Sequence, residues 1–472
     1  MNVIPCCTWV KKGVAAAVPD KVQLTAEELE GIIKKTESDL ADLEADSDAD
    51  SDNEAGCSNA LKKNDTSKSM DDEFNFANYD EEAGDIKASM GGLASINPDG
   101  KDPYITVPES DDNDSEKEDD IIKPDDNLVL LGHVDGDASI LEVYVYNERE
   151  GSFYCHHDIL LPSFPLCLEW LNFDPSDAKP GNFVAIGNMT SVIEVWDLDI
   201  VDCLEPIFKL GCKPNKKKNR KRVGHKDAVL DIAWNVNLPH ILASGSVDKT
   251  VLLWDIEKGI PDTKLDQFNE KVTTLQWHPQ KPYMLLTGSE DKTVKLFDCR
   301  TSDTFKNWET TGEVERVLWN HFNPNYFFLG TKNGIVECID IRQGQHLWEV
   351  KAHDKEITGL SLSVSCPGFL VTASDDGVIK VWDSLVPQLL EPVWETETNL
   401  GAIQCLTSSP DSPFIIAAGG DHKSNNFKVW DLTEITTVNE RFRSRKLIES
   451  VQNNDTDPAN IQESEEMEVT DE

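Results

Sequence analysis

No run of about 18 consecutive apolar residues, the length that crosses a bilayer as a helix, occurs in the 472-residue sequence. A membrane span is therefore not expected. The 11 cysteines contain no Cys-x-x-Cys pair and no Cys/His spacing of zinc type. Neither a disulfide framework nor a structural metal follows from them. P-loop, G-x-S-x-G and H-E-x-x-H motifs are missing as well, so no catalytic chemistry, no cofactor and no small-molecule substrate is expected. His156 and His157 are adjacent, which in a strand should send them to opposite faces and away from a shared metal. The N-terminal MNVIPCCTWVKKG lacks the apolar core of a secretory signal, and the expected compartment is a reducing one, cytosol or nucleus. Positive charge is scarce: 44 Lys+Arg stand against 87 Asp+Glu, for a net charge of −43.

That charge is concentrated in arms. Residues 1–126 hold 33 acids and 12 bases, and residues 450–472 hold eight acids and no base. Such segments repel themselves and bury too little apolar surface to order. An acidic, largely disordered insertion is expected over 19–126 and an acidic disordered tail over 448–472. Two islands break the first of these. Thr25 and Glu28 form a capping box ahead of Leu29, Ile32, Ile33, Leu40 and Leu43, which predicts a helix over 25–43. KDPYITV at 101–107 reads as an extended docking strand. Ser47, Ser51 and Ser115 each have an acid three residues on, which suits acid-directed kinases and would add further negative charge. The opposite charge is concentrated in KPNKKKNRKR at 213–222, with a second, smaller cluster in RFRSRK at 441–446. Lys213, Lys216, Lys217, Lys218, Arg220, Lys221 and Arg222 of the first point to nuclear import or to phosphate contact. No aromatics are interleaved with them, so base stacking is not expected.

The rest of the chain repeats. Alternating apolar stretches end in an aromatic-Asp pair at Asp197, Asp255, Asp298, Asp340, Asp383 and Asp431, with steps of 58, 43, 42, 43 and 48. A seventh copy ends at Asn147 without the Trp-Asp. A second tryptophan series, Trp170, Trp234, Trp277 and Trp319, closes stretches such as VLDIAW and VTTLQW, the pattern of half-buried strands. A period near 43 residues with three clear strands and a weaker fourth (346–350, 391–395) is that of a four-stranded propeller blade.

The unit at 224–255, GH followed by ASGSVDKTVLLWD, resembles the WD-repeat family. The resemblance implies a hydrogen-bonded set that holds the blade: His225, Ser244 or Ser246, Asp248 and Trp254. A second set would be His353, Thr372 or Ser374, Asp376 and Trp382. The unit at 272–298 keeps Asp291 but has no Gly-His, and that at 314–340 lacks both. The expected fold is all-β, a seven-bladed WD-repeat β-propeller over 127–447. Its last repeat ends near Asp431, so closure needs a segment from elsewhere. CCTWVKKGV supplies the right residue types, with Trp9 where Trp234 stands in its own unit. Residues 3–12, within an N-terminal segment 1–18, are therefore expected to join 127–157 in one blade. SVDKT at 246–250 lacks the glycine of the Asp-box found in propeller sialidases.

Beyond the repeat, CCTWVKKGVA, DPYITV, IIKPDDNL, FYCHHDILL, EWLNFDPS and GNMTSVIEVWDLDIVDCLEP resemble the periodic tryptophan protein 1 family over nearly the whole chain. This resemblance implies a nuclear, nucleolus-enriched scaffold in ribosome biogenesis, with links to chromatin and ribosomal-gene transcription. The partners implied are pre-ribosomal assembly factors and basic proteins such as ribosomal proteins or histones, with RNA contact confined to the basic loop. A second class stays open, a substrate receptor of a cullin-type ubiquitin ligase. FDCR ending at Arg300 and IDIR ending at Arg342 approach its W/Y-D-x-R signature without the Trp or Tyr.

Overall fold

The computed structural model describes residues 1–22, 25, 30–34, 121–175, 180–214, 220–301, 305–386 and 391–448. Residues 1–23 and 120–472 form one compact unit and 24–119 a second; the fold below is that of the first. Residues 30–34 are helical. The remainder of the helix expected over 25–43, the strand at 101–107, Ser47, Ser51, Ser115, and Lys216, Lys217 and Lys218 lie outside the described residues.

Seven antiparallel sheets form a ring. Blade 1 pairs Asn2–Val10 with Asn127–Asp135, Ala138–Asn147 and Ser152–Leu161. The blades that follow begin with inner strands Pro165–Leu171, Val229–Trp234, Val272–Trp277, Val314–Trp319, Ile357–Leu362 and Ile403–Ser408. Each inner strand lies against those of its two neighbours, and that of blade 1 meets blades 2 and 7. The ring is therefore a closed sevenfold propeller. Among the described residues, six blades have four strands and blade 7 has three.

The N-terminal strand closes the ring. Trp9 sits opposite Val129 in an antiparallel ladder, and Ile4 and Trp9 pack with Cys405, Ile415 and Ala417 of blade 7. Polar bonds cross the same seam. The Lys12 N–H and the Asn127 amide both donate to Asp411, at 2.9 and 2.6 Å. Ser412 Oγ donates to Glu148 at 2.6 Å.

All 12 tryptophans fall on three strand positions. Trp9, Trp170, Trp234, Trp277 and Trp319 are on inner strands. Trp196, Trp254, Trp382 and Trp430 are on third strands, and Trp308, Trp348 and Trp394 on fourth strands. The inner series ties blades together: the Trp277 indole N–H donates to Ala233 O of the preceding blade at 3.0 Å, and that of Trp319 to Gln276 O at 3.2 Å. Side chains of one inner strand also accept backbone N–H groups of the next. Glu169 accepts from Trp234 (2.9 Å), Asp231 from Leu275 (2.8 Å) and Gln276 from Trp319 (2.6 Å).

The aspartate that ends each third strand has a local task. Asp197, Asp298, Asp340, Asp383 and Asp431 each accept the backbone N–H two residues on, at 2.8–3.2 Å. This closes an Asx turn before the fourth strand or its replacement. Asn147 accepts the Arg149 N–H at 3.0 Å in the same way, which explains why blade 1 keeps its turn without the Trp-Asp pair.

Candidate interaction surfaces and the polar locks

The residues of the expected blade sets come together in blades 3 and 6. His225 Nε2 is 2.7 Å from Ser244 Oγ, and its Nδ1 faces Asp248 at 3.2 Å. The Trp254 indole N–H donates to the same Ser244 hydroxyl at 2.8 Å. In blade 6, His353 Nε2 is 2.7 Å from Thr372 Oγ1 and Nδ1 is 3.1 Å from Asp376, while Trp382 donates to Thr372 at 3.0 Å. Between the alternatives left by the sequence, Ser244 and Thr372 are the members. Ser246 instead donates to Ala228 O at 2.8 Å. Burial would raise the Asp248 carboxyl, but hydrogen bonds from His225 and Thr250 hold it well below the usual carboxylate range. Burial holds the His353 imidazole below its ordinary value, against the pull of Asp376.

A serine, histidine and aspartate in this order have the composition of a nucleophilic triad. The geometry removes that use. His225 and Ser244 are fully buried, and the serine hydroxyl is occupied by both the imidazole and the indole. Activation needs a hydroxyl that a substrate can reach. Burial also pushes the thiols of Cys6 and Cys167 up, and those of Cys299 and Cys338 to about 12, so these cysteines are thiols and not nucleophiles at neutral pH.

The blades without a Gly-His solve the problem differently. Phe268 stands four residues before the inner strand of blade 4, where His225 and His353 stand in theirs. The buried Lys295 ammonium lies 4.7 Å from its ring centre and 3.1 Å from Asp291. In blade 5, Glu337 accepts from Thr311 Oγ1 at 2.7 Å and faces His346 Nδ1 at 2.8 Å.

One reading from sequence needs correction. His156 and His157 do not point apart: their Nδ1 atoms are 2.9 Å from each other. The strand bulges there, with Val143 opposite His157 and Tyr144 opposite Cys155, so His156 is the extra residue and the alternation that separates neighbours is lost. Burial and the neighbouring His156 lower the His157 imidazole to about 4. Among the described residues, no three His, Cys, Asp or Glu side chains are placed to hold a metal ion.

The basic connector runs from the fourth strand of blade 2 to the inner strand of blade 3. Its base is pinched by a reciprocal bridge, Cys212 N–H to Val223 O at 2.8 Å and Val223 N–H to Cys212 O at 3.2 Å. Arg220 Nε donates to Lys213 O at 3.2 Å, and Arg222 to the carbonyls of His225 and Lys226 at 3.2 and 3.1 Å. Gly224 lets the chain turn into the lock: its φ is +95°, and a Cβ there would fall 2.7 Å from the Trp254 ring. On the same end of the ring, other lysines are balanced by acids, Lys249 by Glu270 (3.1 Å) and Lys332 by Glu313 (2.6 Å).

Arg300 and Arg342 are each tied down locally. Both clamp the aspartate two residues before them, at 2.7 and 2.8 Å, and both lie over a tyrosine ring, Tyr283 and Tyr326.

Comparison with known proteins agrees with this geometry. The WD domain, G-beta repeat family matches residues 216–255, 262–298, 344–383 and 391–431, which are units of blades 3, 4, 6 and 7. Periodic tryptophan protein 1 homolog of Drosophila melanogaster is 43% identical over 89% of this chain and 92% of its own length. Periodic tryptophan protein 1 of Saccharomyces cerevisiae is 31% identical over 95% of this chain and 91% of that protein. A WD repeat-containing protein of Schizosaccharomyces pombe is 36% identical over 94% and 92%.

Proposed function

The chain belongs to the periodic tryptophan protein 1 family, and on that footing we propose that it is a non-catalytic nuclear scaffold, enriched in the nucleolus, that acts in ribosome biogenesis. Its work would lie in rRNA processing and large-subunit assembly, with a further role at chromatin and in ribosomal-gene transcription. The observation that carries this reading is the extent of the likeness. It spans 89–95% of the chain, arms included, where a generic propeller would match only its repeats.

The physical chemistry suits the role. A closed ring presents fixed loops to several partners at once. The acidic arms attract basic ribosomal proteins or histones through screened, salt-sensitive forces and repel bare nucleic acid. RNA contact and nuclear import then fall to Lys213, Lys216, Lys217, Lys218, Arg220, Lys221 and Arg222. Phosphorylation at Ser47, Ser51 and Ser115 would strengthen the arm's negative field.

Affinity purification of the full chain tests the reading. Pre-ribosomal factors and basic ribosomal proteins should co-purify, and the chain should sediment with large-subunit precursors. A ubiquitin-ligase adaptor recovered in stoichiometric amount, with no pre-ribosomal material, would replace the scaffold by the ligase receptor.

A further inference from the structure

Among the described residues, blade 7 has one strand fewer than the others. Its outer strand, Phe427–Asp431, pairs inward with Ile415–Gly420. The Leu432 N–H donates to Phe414 O, and Asn426 O accepts from Gly420, so alternate backbone groups from Asn426 to Leu432 are spent inward. Those of Phe427, Val429 and Asp431 point outward, and among the described residues no strand meets them.

The preceding blades show what such an edge takes. In blades 5 and 6 the fourth strand sets Trp348 opposite Cys338 and Trp394 opposite Val381, two residues before Asp340 and Asp383. The matching residue in blade 7 is Val429. These rings reach the next blade: Trp394 packs in the core that holds Leu400, Ile403 and Ile416 of blade 7. Beyond blade 7 comes blade 1, and its facing side is an aromatic shelf. Tyr144 and Phe153 stack at 4.7 Å, Phe153 and Phe427 at 5.9 Å, and Phe153 is 41% exposed. Acids stand at both ends. Burial, with Glu148 and Asp431 nearby, pushes the Tyr146 hydroxyl up to about 12. At the other end Glu142, held by His133 at 2.7 Å, lies opposite the exposed Asp158.

We propose that the open edge of blade 7 binds a partner protein by accepting an extended segment as the blade's fourth strand. That segment runs antiparallel to Phe427–Asp431, places a large aromatic side chain opposite Val429, and carries lysine or arginine at its ends. Main-chain pairing supplies affinity and the aromatic slot supplies specificity. A second copy of this chain is disfavoured by the net charge of −43 and by Lys428, whose exposed ammonium guards the edge 5.2 Å from the Trp430 ring. The surface stands on blade geometry alone and does not depend on the compartment or pathway in which the chain works.

The test uses the full chain and a labelled synthetic peptide, a central tryptophan set in alternating valine and threonine with lysines at both ends. Saturable binding is expected, weakened at least about tenfold when the peptide tryptophan becomes alanine and when the lysines become glutamates. Val429→Pro, which removes an outward N–H and blocks pairing, should abolish binding. Phe153→Asp removes the ring of the shelf while leaving every outward backbone group of Phe427–Asp431 in place. It should weaken binding by a similar factor in a variant that still melts cooperatively, with the melting temperature lowered by the lost stacking on Tyr144 and Phe427, so it decides the matter if the proline variant fails to fold. No saturable binding, or equal binding by the alanine peptide or by Phe153→Asp, overturns the proposal. So does concentration-dependent dimerisation that Phe153→Asp abolishes, which would assign the edge to a second copy.

Discussion

Blades 6 and 7 carry almost the same signature, IKVWD ending at Asp383 and FKVWD ending at Asp431, and they are built differently. Trp382 is buried, its indole N–H bonded to Thr372, which in turn holds His353. In blade 7 the place of Thr372 is Ala418, which faces Lys428 as Thr372 faces Lys380. The place of His353 is Asn399, with φ +59°. Among the described residues no hydroxyl or imidazole bonds to Trp430, which is only partly buried under the Lys428 ammonium. Blade 6 then continues into Trp394–Glu397, whereas blade 7 continues into a 3₁₀ turn and the helix Thr436–Phe442. The helix buries Val438 and Phe442 against the blade 6 and 7 core, and among the described residues no strand covers the edge. A Trp-Asp pair thus reports a third strand and its turn. Whether the blade is locked and closed is decided by residues before and after it.

The largest effect expected comes from removing the shared neighbour of blade 7. Deleting residues 1–12 takes away the inner strand of blade 1 and the seam with Asp411 and Cys405. The melting transition should fall sharply or lose cooperativity, and an unchanged melt would contradict ring closure by that strand. Next is the lock itself. His353→Ala leaves Asp376 and Thr372 without the imidazole, a loss of about 1–3 kcal/mol by denaturant titration, whereas Trp430→Phe in blade 7, which takes away no hydrogen bond of a lock, should cost at most about 1 kcal/mol. Equal costs would erase the distinction between the blades.

A smaller effect is tied to pH. Burial lowers His353 from its ordinary 6.5, so below pH 6.5 the unfolded chain binds a proton that the folded blade resists. Stability therefore falls as pH drops below 6.5 and is regained as pH rises. The fall should be shallower in His353→Gln, measured as the melting temperature at each pH. Identical slopes would show that the imidazole plays no part. Smallest of all is Lys428→Ala. The melting temperature should stay within a degree or so, since one exposed cation–π contact contributes only about 0.5–1 kcal/mol, while self-association rises if the lysine guards the edge.

Much of this was legible in the sequence for a physical reason: the period of 42–43 residues between Asp255, Asp298, Asp340 and Asp383 records a unit that buries itself only against copies of itself. Trp9 was readable as a blade residue because CCTWV has the composition of the other inner strands. Alternation failed at His156, where a bulge inserts one residue without any composition signal. The Lys295 and Phe268 pair that replaces the histidine in blade 4 was also hidden, since a lysine in a strand reads as exposed. The open edge was invisible because FKVWD is indistinguishable from its closed counterparts.

Amide hydrogen exchange of the full chain, with and without the lysine-flanked tryptophan peptide, bears most directly on the claim that this is a closed ring with one blade left open for a partner. The amides of Phe427, Val429 and Asp431 should exchange rapidly in the free chain and become protected with the peptide, while those of Lys428 and Trp430, paired inward, stay protected throughout. Protection of all five in the free chain, or no change on adding the peptide, would contradict it.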